Sequence, residues 1–177
     1  MADNAKADFY LRHRRDIEEW SSLRAEAAAE LDSLLWGAHE ILAADEGLPA
    51  PLQVEKLFYV DRGLELPMSE VGPVNAICYW LPGQLFHRGA DYPWPLLAIR
   101  TPGKNWEHYK SITAATEAAA AAHGLKIHGN QFAWKGFLDL ADGETDLDSF
   151  RVLAMSRLAA VWRDVEPVVR RTLQHEA

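Results

Sequence analysis

Between Asn4 and Glu46 the chain carries no proline and much alanine, and Ile17, Trp20, Leu23, Ala27, Leu31, Leu34, Ala38 and Ile41 recur every three or four residues. That spacing places them on one helical face. The segment is therefore expected to be a long amphipathic helix, bent or broken near Ser21-Ser22 or Gly37. The stretch "EGLPAP" closes it, with Gly47 as a C-terminal cap and two prolines that forbid continuation.

Beyond the prolines the apolar period shortens to that of strands. "LQVEKLFYV", "VNAICYWL" and "WPLLAIRT" are short, rich in branched and aromatic residues, and bounded by Gly, Pro or Asp, which predicts three neighbouring strands. "NWEHYKSITAATEAAAAAHGL" reads as a second helix with Trp106, Tyr109 and Ile112 on its inner side and Gly124 as its cap. "KIHGNQFAWKGFLDL" follows as one or two further strands. The last segment is a helix capped by Asp146 or Asp148 and kinked or ended by Pro167.

The expected class is α/β (α+β): a long N-terminal helix, a three-stranded meander, a helix, further strand(s), and a C-terminal helix packed on one sheet. At 177 residues, 49% of them apolar, residues 1–177 suffice for a single domain with its own core. Trp20, Leu31, Leu34, Ile99, Ile112, Leu158 and Trp162 occupy the periodic faces and are expected to be buried.

Charge and cysteine content narrow the partners. The formal net charge is -8, and the first 50 residues hold eleven acidic against five basic side chains, so phosphate tracking along nucleic acid is not expected. Cys78 is the only cysteine, which excludes an intramolecular disulfide. The start "MADNAKADFY" has neither a basic nor an apolar leader region, and no apolar run approaches the ~20 residues of a membrane span. A cytoplasmic protein without membrane contact is the expectation.

Reactive groups are sparse. Cys78 lies mid-strand among apolar neighbours, where a thiol is inert. The seven histidines form no metal spacing; His123 and His128 come nearest but straddle the glycine cap. "DLADGETDLD" alternates carboxylates, yet Leu147 stands where a calcium loop needs glycine. The cluster "RHRR", Arg12 to Arg15, is followed at once by Asp16, Glu18 and Glu19, as in helical ion pairs. Phosphate loops, nucleophile elbows and Cys-x-x-Cys pairs are absent from the sequence, and neither a metal nor a cofactor is expected.

The aromatic residues gather around "NAICYWLPGQLF". Leu81-Pro82-Gly83-Gln84 suits a type II hairpin turn, and strand alternation sends Ile77, Tyr79 and Leu81 to one face and Cys78 and Trp80 to the other. With Phe86, Tyr92, Trp94 and Trp106 near the strand ends, these rings either seal the sheet against helices or form an exposed patch. The loop "FHRGADYPWP" sets His87 and Arg88 beside them. The candidate binding residues are Tyr79, Trp80, Phe86, His87, Arg88, Tyr92, Trp94 and Trp106.

The order of helix, three strands, helix and further strand is similar to the core of the restriction-endonuclease-like superfamily. Its nucleases place an Asp near the second strand and an acidic-x-Lys pair on the third, which hold a divalent metal and assist the attacking water. The corresponding strands here, "VNAICYWL" and "PLLAIRT", contain no carboxylate, and Ala98-x-Arg100 stands at the acid-x-Lys position. The resemblance thus implies a scaffold without its metal chemistry.

The sequence points to a non-enzymatic, acidic protein-interaction module of the inhibitor, immunity or accessory-factor type. Its partner would be another protein, or a second copy in a homodimer. The alternative is a hydrolase or nucleic-acid-processing enzyme on that scaffold with a dispersed site, for which His87, Asp91, Glu107 and His108 are the first candidates.

Overall fold

The computed structural model describes residues 4–45, 47–48, 62–68, 73–87, 89–129, 131–138 and 146–176. The N-terminal segment forms α1 (Asn4–Trp36) and, after a break at Gly37, the short α2 (His39–Ala43). Three strands follow, β1 (Arg62–Pro67), β2 (Asn75–Trp80) and β3 (Leu96–Arg100), then α3 (Tyr109–Ala122), the hairpin strands β4 (Lys126–Ile127) and β5 (Phe132–Phe137), and α4 (Leu147–Glu176). The five strands form one sheet in the order β1-β2-β3-β5-β4, with every neighbouring pair antiparallel. This is the mixed α+β architecture that the changing periodicity predicts.

The strand predicted over 52–60 lies outside the described residues. The strand found at Arg62–Pro67 was hidden by its glycine and its terminal proline, although Leu64 and Leu66 alternate correctly. Pro67 is tolerated because it is the last residue of β1, which lies at the edge of the sheet among the described residues.

A turn forms at Leu81–Gln84, with the Gln84 N–H donating to Leu81 O at 2.9 Å, but it is not the type II hairpin turn predicted. Pro82–Gln84 is a single 3-10 turn, Gly83 does not take a positive φ, and the ladder resumes only at Leu96. Pro93 and Pro95 have no N–H to give to a ladder, which keeps "DYPWP" out of β3. The connection instead folds on itself, with the Phe86 N–H donating to Pro93 O at 2.8 Å and the Tyr92 N–H to Gln84 Oε1 at 2.9 Å.

Alternation along β2 works as predicted, and both faces are apolar. Ala76, Cys78 and Trp80 turn toward the helices and join the main core with Leu64, Leu66, Leu97, Ile99, Ile112, Leu158 and Val161. Ile77, Tyr79 and Leu81 turn the other way, into a smaller cluster with Leu96, Ala98 and Phe132. At the edge of that second face Glu65 is buried, accepting from Arg100 at 2.8 Å and from Asn75 Nδ2 at 2.7 Å.

Three indoles fasten the helices to the sheet. Trp80 Nε1–H on β2 donates to Asp32 of α1 at 2.8 Å, and Trp134 Nε1–H on β5 donates to Thr116 of α3 at 3.0 Å. Trp162 Nε1–H on α4 donates to Pro67 O of β1 at 2.7 Å. Each ring buries apolar area while its single polar atom is satisfied.

The expected core needs correction at three positions. Trp20 is 74% exposed, because α1 packs on the rest of the chain only from about Ala28 onward. Leu34 is half-buried and cedes its place to the fully buried Leu35, and Trp162 is half-buried at the rim, where its indole reaches β1. Leu31, Ile99, Ile112 and Leu158 are buried as predicted. Pro167 does not end α4, which runs on to Glu176.

Carboxylates hold α4 along its length. Asp146 caps it, accepting from the Asp148 N–H at 3.1 Å and from the Ser149 hydroxyl at 2.7 Å. Asp45 binds Arg163 in its middle, and Glu176 at its end accepts from Ser111 of α3 at 3.0 Å. Bonds to Arg163, to Ser149 and to Ser111 are the leading reasons that Asp45, Asp146 and Glu176 each titrate below their ordinary values.

Two outcomes are expected. Leu31→Ala or Ile99→Ala should cost ~2–5 kcal/mol in urea unfolding, whereas Trp20→Ala should stay within ~0.5 kcal/mol; equal losses at Trp20 would place it in the core. The folded chain binds fewer protons than the unfolded chain at Asp45, Asp146 and Glu176, so their contribution is complete above the ordinary values of 3.8 and 4.5 and disappears as pH falls through the lower folded values. The urea midpoint should therefore drop on the acid side, and Asp45→Asn with Glu176→Gln should flatten that drop.

Candidate functional site

The candidate aromatic residues are divided by the sheet. Trp80 is fully buried on the helix side, where Phe86, Trp94 and Trp106 also pack against the main core. Phe86 meets Trp94 edge-on at 4.8 Å, and Trp94 meets Phe150 of α4 at 6.1 Å. Phe86 sits at φ 62, a left-handed conformation that costs a bulky residue ~1–2 kcal/mol and that its ring packing helps to hold. On the opposite face Tyr79 stacks edge-on with Tyr92 at 5.6 Å and Phe132 at 5.4 Å, and Tyr92 continues to Phe137 at 6.3 Å. His87 is exposed in the loop, and Arg88 lies outside the described residues.

The four residues suspected of catalysis fall on two segments of the chain. His87 and Asp91 are exposed on the β2–β3 connection, while Glu107 and His108 immediately precede α3. His108 Nδ1 lies 2.6 Å from Glu176 and its Nε2 3.4 Å from Glu107. Ser111 completes a Ser, His and carboxylate trio, but its hydroxyl donates to Glu176 and to His108 O and makes no bond to the imidazole. A nucleophilic serine needs that bond. The trio ties the end of α4 to the start of α3.

Cys78 is fully buried, and burial pushes its thiol up to about 12, which leaves no thiolate at neutral pH. Among the described residues no three His, Cys, Asp or Glu side chains converge to hold a metal ion. No helix among them is long and apolar enough to cross a membrane.

Two surfaces remain that sequence reasoning missed. The first is a groove of about 400 Å³ where β4 and β5 pair, lined by Leu96, Gly124, Lys126, Ile127, His128, Lys135, Gly136 and Phe137. Lys126 and Lys135 are direct register partners, so both ammonium stems leave the same face of the sheet. Lys135 Nζ sits 5.1 Å over the Tyr92 ring. His128 titrates below its ordinary value through burial first and then through the charges of Lys135 and Lys104. No described carboxylate forms an ion pair with these lysines. The strand pairing that sets one lysine opposite the other cannot be read from a two-residue strand, so local spacing carries no sign of it.

The second surface is the free half of α1. From Lys6 to Glu26 every side chain is exposed except the half-buried Ile17, and Phe9, Tyr10, Leu11, Trp20 and Leu23 are large apolar groups among them. Phe9, Ile17 and Trp20 continue the stripe that Ala28, Leu31 and Leu35 bury farther on. The signal was in the sequence, in a periodicity longer than one small sheet can cover.

The chain matches no known protein family, no curated protein and no solved structure.

In the native protein Cys78 should resist a thiol reagent such as Ellman's and react at once after denaturation. Rapid labelling of the folded chain would contradict its assignment as a core residue.

Proposed function

We propose that this chain acts by binding rather than by catalysis, as an acidic interaction protein of the inhibitor, immunity or accessory kind, and that its free helical arm pairs with a second copy of the chain. The observation that carries this reading is the apolar stripe of α1, which runs out of the core and continues uncovered through Trp20 to Phe9. Twenty-four residues, Asn4 to 27, span about 36 Å at 1.5 Å each. An isolated helix of that length is marginal in water, so a partner that covers the stripe also stabilises the helix.

Charge order favours a second copy, and an antiparallel one. Arg12 and Glu19 stand one heptad apart, on the same edge of the stripe. In an antiparallel pair the Arg12 of each arm faces the Glu19 of the other; a parallel pair would set these like edges on opposite sides of the seam and form neither contact. Tyr10, hydrogen-bonded to Glu18 at 2.5 Å, and Trp20 supply the amphipathic rings that interfaces favour. The half-buried rings around the central hairpin, Phe86, Trp94 and Tyr92, give the body a second aromatic edge for a partner.

Sedimentation equilibrium tests the pairing. The parent chain should dimerise below ~0.1 mM, and Trp20→Asp with Leu23→Asp should give a folded monomer whose melting temperature no longer depends on concentration. Arg12→Glu should weaken the dimer and the swap Arg12→Glu with Glu19→Arg should restore it. A parent chain that stays monomeric, or a swap that fails to restore, would overturn the pairing.

A further inference from the structure

We infer that the groove beside β4 and β5 is a binding site for a small amphipathic carboxylate, an acid group carried on an aryl or short alkyl body. The inference is independent of the arm. Its starting point is an electrostatic misfit: in a chain of net charge -8, two lysines oppose each other directly across an antiparallel pair, with His128 two residues beyond Lys126 and with Lys135 and Lys104 both close enough to depress its titration. Like charges in that position destabilise a sheet. Among the described residues no carboxylate relieves them, and the ring of Tyr92 under Lys135 is a weaker counterpart than an anion. A bound anion would turn this cost into a gain.

The walls define the rest of the ligand. Leu96, Ile127 and Phe137 are apolar, and Ile127 and Phe137 are 65% and 41% exposed, large for side chains of a paired strand. A cavity of about 400 Å³ falls within the ~300–1,000 Å³ usual for small-molecule sites. The lining offers ammonium groups and an imidazole but no Arg, Ser, Thr or Asn. Phosphate recognition usually draws on a guanidinium fork or a row of donors, whereas one carboxylate between two ammonium groups, with its apolar body against Phe137, uses everything present. Gly136 lets the backbone at Gly124 approach β5 closely, since a Cβ there would stand 3.0 Å from Gly124 O.

Phenylacetate and hexanoate are suitable probes, with phenylacetamide and inorganic phosphate as comparisons, each titrated into the full-length protein and followed by amide NMR shifts and melting temperature. Phenylacetate or hexanoate should move Lys126, Ile127, Lys135 and Gly136 saturably and raise the melting temperature, while the neutral amide and phosphate should not. Lys126→Ala or Lys135→Ala should each weaken binding about tenfold or more. Lys126→Glu gives a second readout: it should raise the melting temperature of the unliganded protein by removing the like-charge pair, and abolish binding. The inference is overturned if the amide binds as well as the acid, if phosphate produces the same shifts, if binding survives Lys126→Ala with Lys135→Ala, or if Lys126→Glu lowers the melting temperature.

Discussion

The architecture hangs on the carboxylate of Asp32. It accepts the indole N–H of the fully buried Trp80 at 2.8 Å and pairs with Arg62 at 2.8 Å, so one side chain of α1 holds both β2 and β1. Arg62 in turn lies 5.2 Å over the ring of Trp36. A part-buried carboxylate with two such donors is strongly favoured over one left alone, because removing either donor would strand charge at the edge of the core. This junction fixes where α1 belongs to the body. Downstream of it Leu35 and Ala38 are sealed; a turn upstream Leu31 and Ala28 are the last buried positions, and beyond them the helix is an arm.

The same logic explains why the two sides of the sheet differ. Toward the helices, three tryptophans turn large apolar surfaces inward and send one N–H each to a fixed acceptor, which determines how α1, α3 and α4 lie. On the far side the cluster of Ile77, Tyr79, Leu96, Ala98 and Phe132 is smaller and grades into charge, with Glu65 and Arg100 at one end and Lys126 and Lys135 at the other. The described side chains of the helix side serve packing, and the two surfaces proposed for binding lie at the margins, on the arm and in the groove.

Much of the fold was legible in the sequence because it rests on period. The long N-terminal helix, the strands β2 and β3, the alanine-rich α3 with Gly124 at φ 72 past its end, and the Asp146 cap of α4 each follow from local spacing. The errors at Trp20 and Leu34 have one cause. Trp20 and Leu34 share a stripe with Leu31, and spacing alone cannot say how far along the helix the body reaches. Long-range features were invisible for the same reason: the Glu176, Ser111 and His108 contact joins residues far apart in the chain, and the Lys126 and Lys135 pairing depends on β4 register. Tyr79 and Trp80 were correctly set on opposite faces, yet only packing shows that Trp80 is sealed beneath α1 while Tyr79 leads through Tyr92 to Phe137 and the groove.

The central claim is that α1 is one helix with two roles, core from Ala28 onward and partner-seeking before it. Amide hydrogen exchange along α1, followed as a function of protein concentration, reads this directly. In dilute solution the amides from Leu31 to Leu35 should be strongly protected and those from Phe9 to Leu23 nearly free, and raising the concentration should extend protection across Phe9 to Leu23 without changing the rest. Uniform protection of the whole helix at every concentration, or a free half that never gains protection, would contradict the account.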